Sequence, residues 1–335
     1  MKKILITGGA GYIGSHTAVE LWNSGLEPVI LDDLSNSDSK VLDRLEEITG
    51  KRFSFFEGDC NERGQLDEIS SKHEIAGVIH FAAFKSVGES TKQPLKYYQN
   101  NVGSLLVLLD WMRDKGIQDL VFSSSCTVYG QPEVLPVTES TPRQDAESPY
   151  GNTKKICEDI LVDYVKSQPS IRVISLRYFN PVGAHPSAKI GELPLGVPQN
   201  LVPFITQTAA GIREKLTVFG NDYDTPDGSC VRDYIHVMDL ADAHVKALDF
   251  LKDQNTNFYE VFNVGTGNGN TVLEVIHAFE KVNGLKLNYT IGPRRPGDVV
   301  KTWADTTKIK NVLGWSPKFS LEDSMRDSWN WQKSL

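Results

Sequence analysis

A phenol and an ammonium stand four residues apart in Tyr150-Gly151-Asn152-Thr153-Lys154, and helical spacing puts both on one face. An unperturbed tyrosine, with a pKa of ~10, is a poor base at neutral pH. A neighbouring lysine, or any cation held beside the ring, favours the phenolate and lowers that value. Each unit of lowering takes ~1.4 kcal/mol, so ~4 kcal/mol brings a phenol near neutrality. Upstream, Phe122-Ser123-Ser124-Ser125 closes a β-prone run, and the Ser125 hydroxyl is suited to hand a substrate's hydroxyl proton to Tyr150. Alone, Tyr-x-x-x-Lys also reads as an ordinary surface helix pair. Its weight comes from what precedes it.

At the start of the chain, Thr7-Gly8-Gly9-Ala10-Gly11-Tyr12-Ile13-Gly14 follows an apolar run and opens a helix. Gly8, Gly11 and Gly14 fall at three-residue spacing, and Gly9-x-Gly11-x-x-Gly14 fits the commoner dinucleotide fingerprint. One glycine permits the tight turn, one lets backbone N–H groups approach a pyrophosphate, and one lets helix and strand pack closely. The helix N-terminus adds partial positive charge and free donors for the phosphates. Asp32 and Asp33 follow the second strand at the spacing of a ribose-binding carboxylate. Such a carboxylate accepts from the 2′-hydroxyl and repels a 2′-phosphate, so NAD is expected over NADP. Asp33 also reads as a cap on the next helix.

These residues need a scaffold. Strands are expected over 4–7, 29–31, 53–56, 78–81, 120–123 and 173–176, and helices over 16–23, 65–73, 97–115 and 154–167. Continuous apolar strands alternating with helices predict an α/β fold with a Rossmann-type, doubly wound parallel sheet. Carboxyl ends of its strands are where such folds bind ligands. We expect an NAD-binding domain over 1–180, with later segments crossing back, and a smaller α/β domain over 181–335 for substrate. Further strands (216–219, 259–264) and helices (239–251, 272–282) are expected there. The loop 130–149 holds four prolines, and loops of that length in a compact domain are often functional.

With 335 residues, 40% hydrophobic and 23% charged, the chain has the composition of a globular protein with a sizeable core. A net charge of -8 argues against nucleic-acid partners. An anionic substrate would then need locally placed arginines. No stretch nears the ~20 apolar residues of a membrane span, and the apolar start is too short for a signal peptide. Cys60, Cys126, Cys157 and Cys230 lack metal-type or CxxC spacing, so a reduced, cytoplasmic, metal-free protein is expected.

The glycine loop, the Ser125/Tyr150/Lys154 set and Arg177-Tyr178-Phe179-Asn180-Pro181-Val182-Gly183-Ala184-His185-Pro186 resemble the extended short-chain dehydrogenase/reductase family. Within it they resemble the UDP-glucose (UDP-galactose) 4-epimerase branch. The likeness continues through Val231-Arg232-Asp233-Tyr234-Ile235-His236-Val237-Met238-Asp239-Leu240-Ala241 and Arg295-Pro296-Gly297-Asp298 to Trp303-Ala304-Asp305, covering nearly the whole chain. It implies reversible inversion at C4 of UDP-glucose and UDP-galactose through a 4-keto sugar, with tightly held NAD and a homodimer. Tyr150, Ser125 and Lys154 are implied as catalytic. The implied cofactor set is Gly8, Gly11, Tyr12, Ile13, Gly14, Asp32, Asn36, Asp59, Cys60, Phe81, Lys85, Asn100, Tyr150, Lys154 and Tyr178. The UDP-sugar set is Lys85, Ser125, Tyr150, Phe179, Asn180, Asn200, Leu201, Thr217, Phe219, Arg232, Tyr234, Arg295, Asp298 and Thr302. Arg232 and Arg295 are suited by chemistry to bidentate phosphate binding. His236, Trp303 and Trp315 read as structural.

One position departs from the pattern. Many members restricted to UDP-glucose and UDP-galactose carry tyrosine before Trp303-Ala304-Asp305, where this chain has Thr302. A smaller wall leaves room beside the sugar's C2 substituent, so UDP-GlcNAc and UDP-GalNAc are expected to be accepted too, unless a bulky neighbour fills the space. Other members of the family are the competing readings. A 4,6-dehydratase needs an acidic pair near the serine, and Ser124-Ser125-Cys126-Thr127 offers no carboxylate. Asp32 disfavours NADPH-dependent reductases, and retention of all three reaction-centre residues argues against a non-enzymatic NAD sensor.

Overall fold

A computed structural model describes residues 1–168, 170–295 and 299–335. The first half runs β1 (Lys3–Thr7), α1 (Tyr12–Asn23), β2 (Glu27–Asp32), α2 (Lys40–Thr49), β3 (Ser54–Glu57), α3 (Arg63–Lys72), β4 (Ile75–His80), α4 (Val87–Lys92), α5 (Pro94–Tyr97), a π-helical turn (Tyr98–Val102), α6 (Gly103–Lys115) and β5 (Asp119–Ser125). A 3₁₀ turn (Cys126–Tyr129), α7 (Pro149–Ser167), β6 (Arg172–Tyr178) and β7 (Asn180–Val182) follow. Then come α8 (Leu201–Ala209), β8 (Leu216–Phe219), β9 (Val231–Arg232), β10 (Tyr234–His236), α9 (Val237–Leu251), β11 (Phe258–Val264) and β12 (Asn270–Thr271). The chain finishes through α10 (Val272–Asn283), β13 (Tyr289–Gly292), β14 (Lys301–Thr302), α11 (Thr307–Leu313) and α12 (Leu321–Lys333).

These elements form two compact units, and the first gathers Met1–Gly130, Arg143–Arg177 and Ala241–Phe262. Its frame is a seven-stranded sheet in the order β11-β6-β5-β4-β1-β2-β3, with β3, β2, β1, β4 and β5 paired in parallel. Strand order reverses between β1 and β4, which opens a crevice at their carboxyl ends. Strands β1, β2 and β4 are largely apolar, as strands covered on both faces are. Leu5, Val29, Val78 and Leu120 meet Leu66, Leu108, Trp111, Met112 and Leu161 in one buried cluster. Burying a side chain of this size contributes about 1.5–3 kcal/mol.

The stretch 97–115, expected as one helix, is α5, a π-helical turn and α6. At the wide turn the buried Asn101 side chain accepts from the Phe84 N–H at 2.8 Å. It also donates to the Phe84 carbonyl at 3.0 Å and to Thr153 Oγ1 at 3.1 Å. Such π-bulges often accompany functional sites.

The second unit gathers Gln131–Pro142, Tyr178–Leu240 and Asn263–Leu335. Three small sheets, β10-β7, β12-β9-β14 and β13-β8, stand with a core of Val202, Ile205, Leu216, Val218, Val275, Phe279 and Met325. Helices α10 and α12 both open with capping boxes, Thr271 with Glu274 and Ser320 with Asp323, each satisfying two backbone donors. Within this unit the proline-bearing loop is held by backbone. The Val137 N–H donates to the Trp303 carbonyl at 2.9 Å, and the Val137 carbonyl accepts from Asp305 N–H at 2.7 Å and Asn263 Nδ2 at 2.8 Å. No helix among the described residues is long and apolar enough to cross a membrane.

Candidate active site

The glycine segment turns between β1 and α1. Gly8 has φ +70, and a Cβ there would stand 2.8 Å from the Ala82 backbone nitrogen, so only glycine lets the turn press against the segment leaving β4. A Cβ on Gly14 would stand 2.3 Å from the Gly8 carbonyl oxygen. Gly11 differs: a Cβ there would meet only that same oxygen, at 3.2 Å, leaving its other side open to an approaching ligand. Gly11 is the N-cap of α1, with no side-chain cap and no acidic residue in the first turn. Partly exposed Tyr12 and Ile13 open this helix, whose end is thus left electropositive for an anion. Asp32 is buried and braces the cradle: Oδ2 accepts from Ala10 N–H at 2.9 Å, and Oδ1 from Leu34 N–H at 2.9 Å and Ser37 Oγ at 2.8 Å. Burial raises its pKa, with these bonds pulling the other way. Asp33 instead accepts from Ser35 in a local turn, and Asn36 lies exposed just beyond. The arrangement fits a dinucleotide with a free ribose 2′-hydroxyl.

Further candidates line the strand ends of the same unit. Phe81 and exposed Lys85 follow β4, with Phe81 against His244 at 4.7 Å between ring centroids. Asp59 accepts from Asn61 N–H at 2.8 Å, and Asn61 Nδ2 reaches Asn100 Oδ1 at 3.2 Å, so Asp59 and Asn100 share a neighbour. The Cys60 side chain belongs to the core, and burial pushes its thiol up to about 12, so any ligand contact there falls to its backbone.

At the reaction centre, Ser148 caps α7 by accepting from Gly151 N–H at 3.1 Å, and Pro149 occupies the first turn. This start sets Tyr150 on the helix's opening turn. Ser125, the last residue of β5, stands near the Tyr150 phenol and favours its phenolate, and its Oγ accepts from Thr127 N–H at 3.2 Å. Lys154 is buried, donates from Nζ to the Ser123 carbonyl at 2.6 Å, and lies 5.0 Å from the Phe122 ring centroid. Burial lowers its pKa to about 8, with Cys157 and Glu158 opposing. In the chain alone, burial pushes the Tyr150 phenol up to about 12, against the pull of Ser125. Positive charge brought beside the ring opposes that effect.

In the second unit, Tyr178 and Phe179 are buried. Asn180 on β7 lies opposite Tyr234 on β10, and its N–H donates to the Asp233 carbonyl at 2.9 Å. Arg232 on β9 lies opposite buried Thr302 on β14, and its guanidinium reaches the Val231 carbonyl at 2.9 Å. Thr217 and Phe219 sit on β8, and the Arg295 guanidinium stands 5.6 Å from the Phe219 ring centroid. Asn200 occupies the N-cap position of α8 ahead of Leu201, with no side-chain cap bond, and donates from Nδ2 to Glu192 at 2.7 Å. Asp298 lies outside the described residues. His236 has structural work: it stacks on Phe319 at 4.2 Å, and its ring nitrogens face Met238 N–H at 3.1 Å and Asp327 at 3.3 Å. Trp315 is core.

The family model described as GDP-mannose 4,6 dehydratase matches residues 5–328. The UDP-glucose 4-epimerase of Bacillus subtilis (strain 168) is 53% identical over 331 residues, covering 99% of this chain and 97% of that protein. That of Erwinia amylovora is 52% identical over 329 residues, covering 98% and 97%. The chain belongs to the UDP-glucose 4-epimerase family. A solved structure of such an epimerase from Stenotrophomonas maltophila, with bound NAD and formylated UDP-arabinopyranose, superposes with a TM-score of 0.96 at 48% identity, covering 100% of this chain and 98% of that one.

Two residues of this epimerase's centre escaped the sequence reading. Asn101 ties the segment leading to Lys85 to the helix carrying Tyr150, and its only sequence signal is an asparagine inside an apolar helical run. Glu158 continues the Tyr150–Lys154 spacing by four residues and is buried, so its position was readable although its partners were not.

Proposed function

We propose that the chain interconverts UDP-glucose and UDP-galactose by inversion at C4, with NAD resident in the glycine cradle. The observation that carries this reading is the buried Lys154 of α7, the helix that bears Tyr150, donating to the Ser123 carbonyl at 2.6 Å at the carboxyl end of β5 beside Ser125. When bound, NAD supplies the oxidant, taking hydride from C4 and returning it, so no net redox change occurs. Tyr150 receives the 4-hydroxyl proton, directly or through Ser125, and gives it back when the hydride returns. The sugar must present its opposite face for that return. Lys154 holds positive charge on the same helix as the phenol and would hold the nicotinamide ribose of a bound NAD. Gly8, Gly11 and Gly14, with Tyr12, Ile13 and Asp32, seat the pyrophosphate and ribose. Asp59, Asn100, Phe81 and Lys85 complete the cofactor set. Arg232 and Arg295 neutralise the diphosphate, and Asn180, Asn200, Tyr234 and Thr217 orient the nucleotide and sugar.

A 4,6-dehydratase would need a free acid at the sugar. The carboxylate beside Ser124 is Glu158, and both its oxygens are occupied by Arg177, at 2.8 and 2.6 Å, so epimerisation is preferred. Thr302 in place of a tyrosine supports acceptance of UDP-GlcNAc and UDP-GalNAc. No turnover of UDP-GlcNAc where UDP-galactose is converted would refute that extension. A homodimer and a cytoplasmic location complete the proposal. Exposed Leu95 and Leu106 offer apolar surface for a second copy, and light scattering would test it. All four cysteines are free, as a reducing compartment requires.

The decisive experiment incubates purified protein with UDP-galactose without added NAD. UDP-glucose should form. Failure even with added NAD would return the substrate to unknown.

A further inference from the structure

Three consecutive residues of β5 each meet a different residue on one face of α7. The Ser123 carbonyl accepts from Lys154 Nζ at 2.6 Å, Ser124 Oγ donates to Glu158 Oε1 at 2.6 Å, and Ser125 lies near the Tyr150 phenol. The helix partners fall four residues apart, one turn each. Two of these ties belong to the reaction centre, and the third has no role in the chemistry proposed above.

That third tie is the most heavily anchored. Glu158 is 1% exposed. Its Oε1 also accepts from Arg177 Nε at 2.8 Å, while Oε2 accepts from Arg177 Nη2 at 2.6 Å and from Arg143 Nη1 at 3.4 Å. Arg177 is the penultimate residue of β6, the neighbour of β5, and donates from Nη1 to Tyr129 Oη at 2.8 Å. A buried carboxylate with fork-to-fork geometry is directional and stiff. It therefore fixes both the rotation of α7 about its axis and its slide along β5.

We infer that Glu158 is a positioning residue: through Ser124 and Arg177 it holds α7 at the register where Tyr150 meets Ser125. The inference rests on the epimerase reading above. A slip of the helix by ~1 Å would shift Tyr150 against Ser125 and the strand end, and misplacement on that scale costs up to ~100-fold in rate. Substrate and cofactor contacts made elsewhere would be untouched.

The test uses two variants of the full-length, NAD-loaded enzyme, assayed well below their melting temperatures. Ser124→Ala removes one tie and leaves the Glu158–Arg177 pair intact. Glu158→Gln combined with Arg177→Met removes the pair without stranding a buried charge, and Ser124→Ala alone decides if that double variant fails to fold. The expected result is kcat lower by about tenfold or more, with KM for UDP-galactose within about twofold and bound NAD unchanged. A role in stability alone would lower the melting temperature and leave kcat at the parent value. Parent-like kcat in Ser124→Ala, or a loss confined to KM, overturns the inference while leaving the epimerase reading standing. An inactive parent chain would instead overturn the epimerase reading, and this inference with it.

Discussion

Tyr150 and Lys154 carry opposite electrostatic burdens, and each can be measured. Replacing Tyr150 with Phe removes the proton acceptor and leaves the ring's packing, so kcat should fall by ~10²–10⁴-fold with NAD still bound. Intact turnover in that variant would overturn every role given to the reaction centre. Lys154 is charged in a site that disfavours charge, its pKa being about 8 against 10.5 for the unperturbed side chain. Below pH 8 the folded and unfolded chains both carry the proton, so the burial cost is borne in full. Between about 8 and 10.5 the folded chain sheds its proton first, and stability from this group rises with pH. Lys154→Met should therefore raise the unfolding free energy at pH 7 by up to ~3 kcal/mol, a gain that shrinks to nothing by about pH 10.5, while abolishing turnover. A melting curve that moves equally at both pH values would count against this account.

At the scale of elements, the turn between β1 and α1 separates binding from folding. Gly14→Ala drives a Cβ into the Gly8 carbonyl at 2.3 Å, so both thermal stability and NAD retention should drop. Gly11→Ala meets only one atom, at 3.2 Å, so the fold should survive with its melting temperature nearly unchanged while bound NAD, read from absorbance after denaturation, is lost. Equal effects from the two would mean the cradle has been misread. This turn was legible in the sequence because strand, glycines and helix are contiguous, and Tyr150 and Lys154 because one helix carries both. Strands buried on both faces advertise themselves as apolar runs. Helix α2, Lys40–Thr49, carries Val41, Leu42, Leu45 and Ile48 at helical spacing, so this element was legible and was overlooked. Helix α8 was hidden by Pro203, which its first turn tolerates because that N–H has no helical partner. Arg232 and Thr302 come opposite one another only through strand pairing between distant segments. No local pattern announces such a contact, and only resemblance pointed to those two residues.

Across the whole molecule, the chain leaves one compact unit for the other after Gly130, Pro142, Arg177, Leu240 and Phe262. The short excursion Gln131–Pro142 is stitched into the second unit by Val137 and Asn263. Asn263→Ala should loosen that stitch, and limited proteolysis should then cut within 131–142 faster than in the parent. Unchanged cleavage would place the loop's anchorage elsewhere. The late return of Ala241–Phe262 to the first unit bears on how a ribosome can make this protein. Strand β11 closes the sheet against β6, yet it is translated only after the first stretches of the second unit. At ~5–20 residues per second, β6 waits several seconds as a bare edge. Nascent chains stalled before residue 258 should therefore remain protease-sensitive and recruit chaperones, and those stalled well past residue 264 should not.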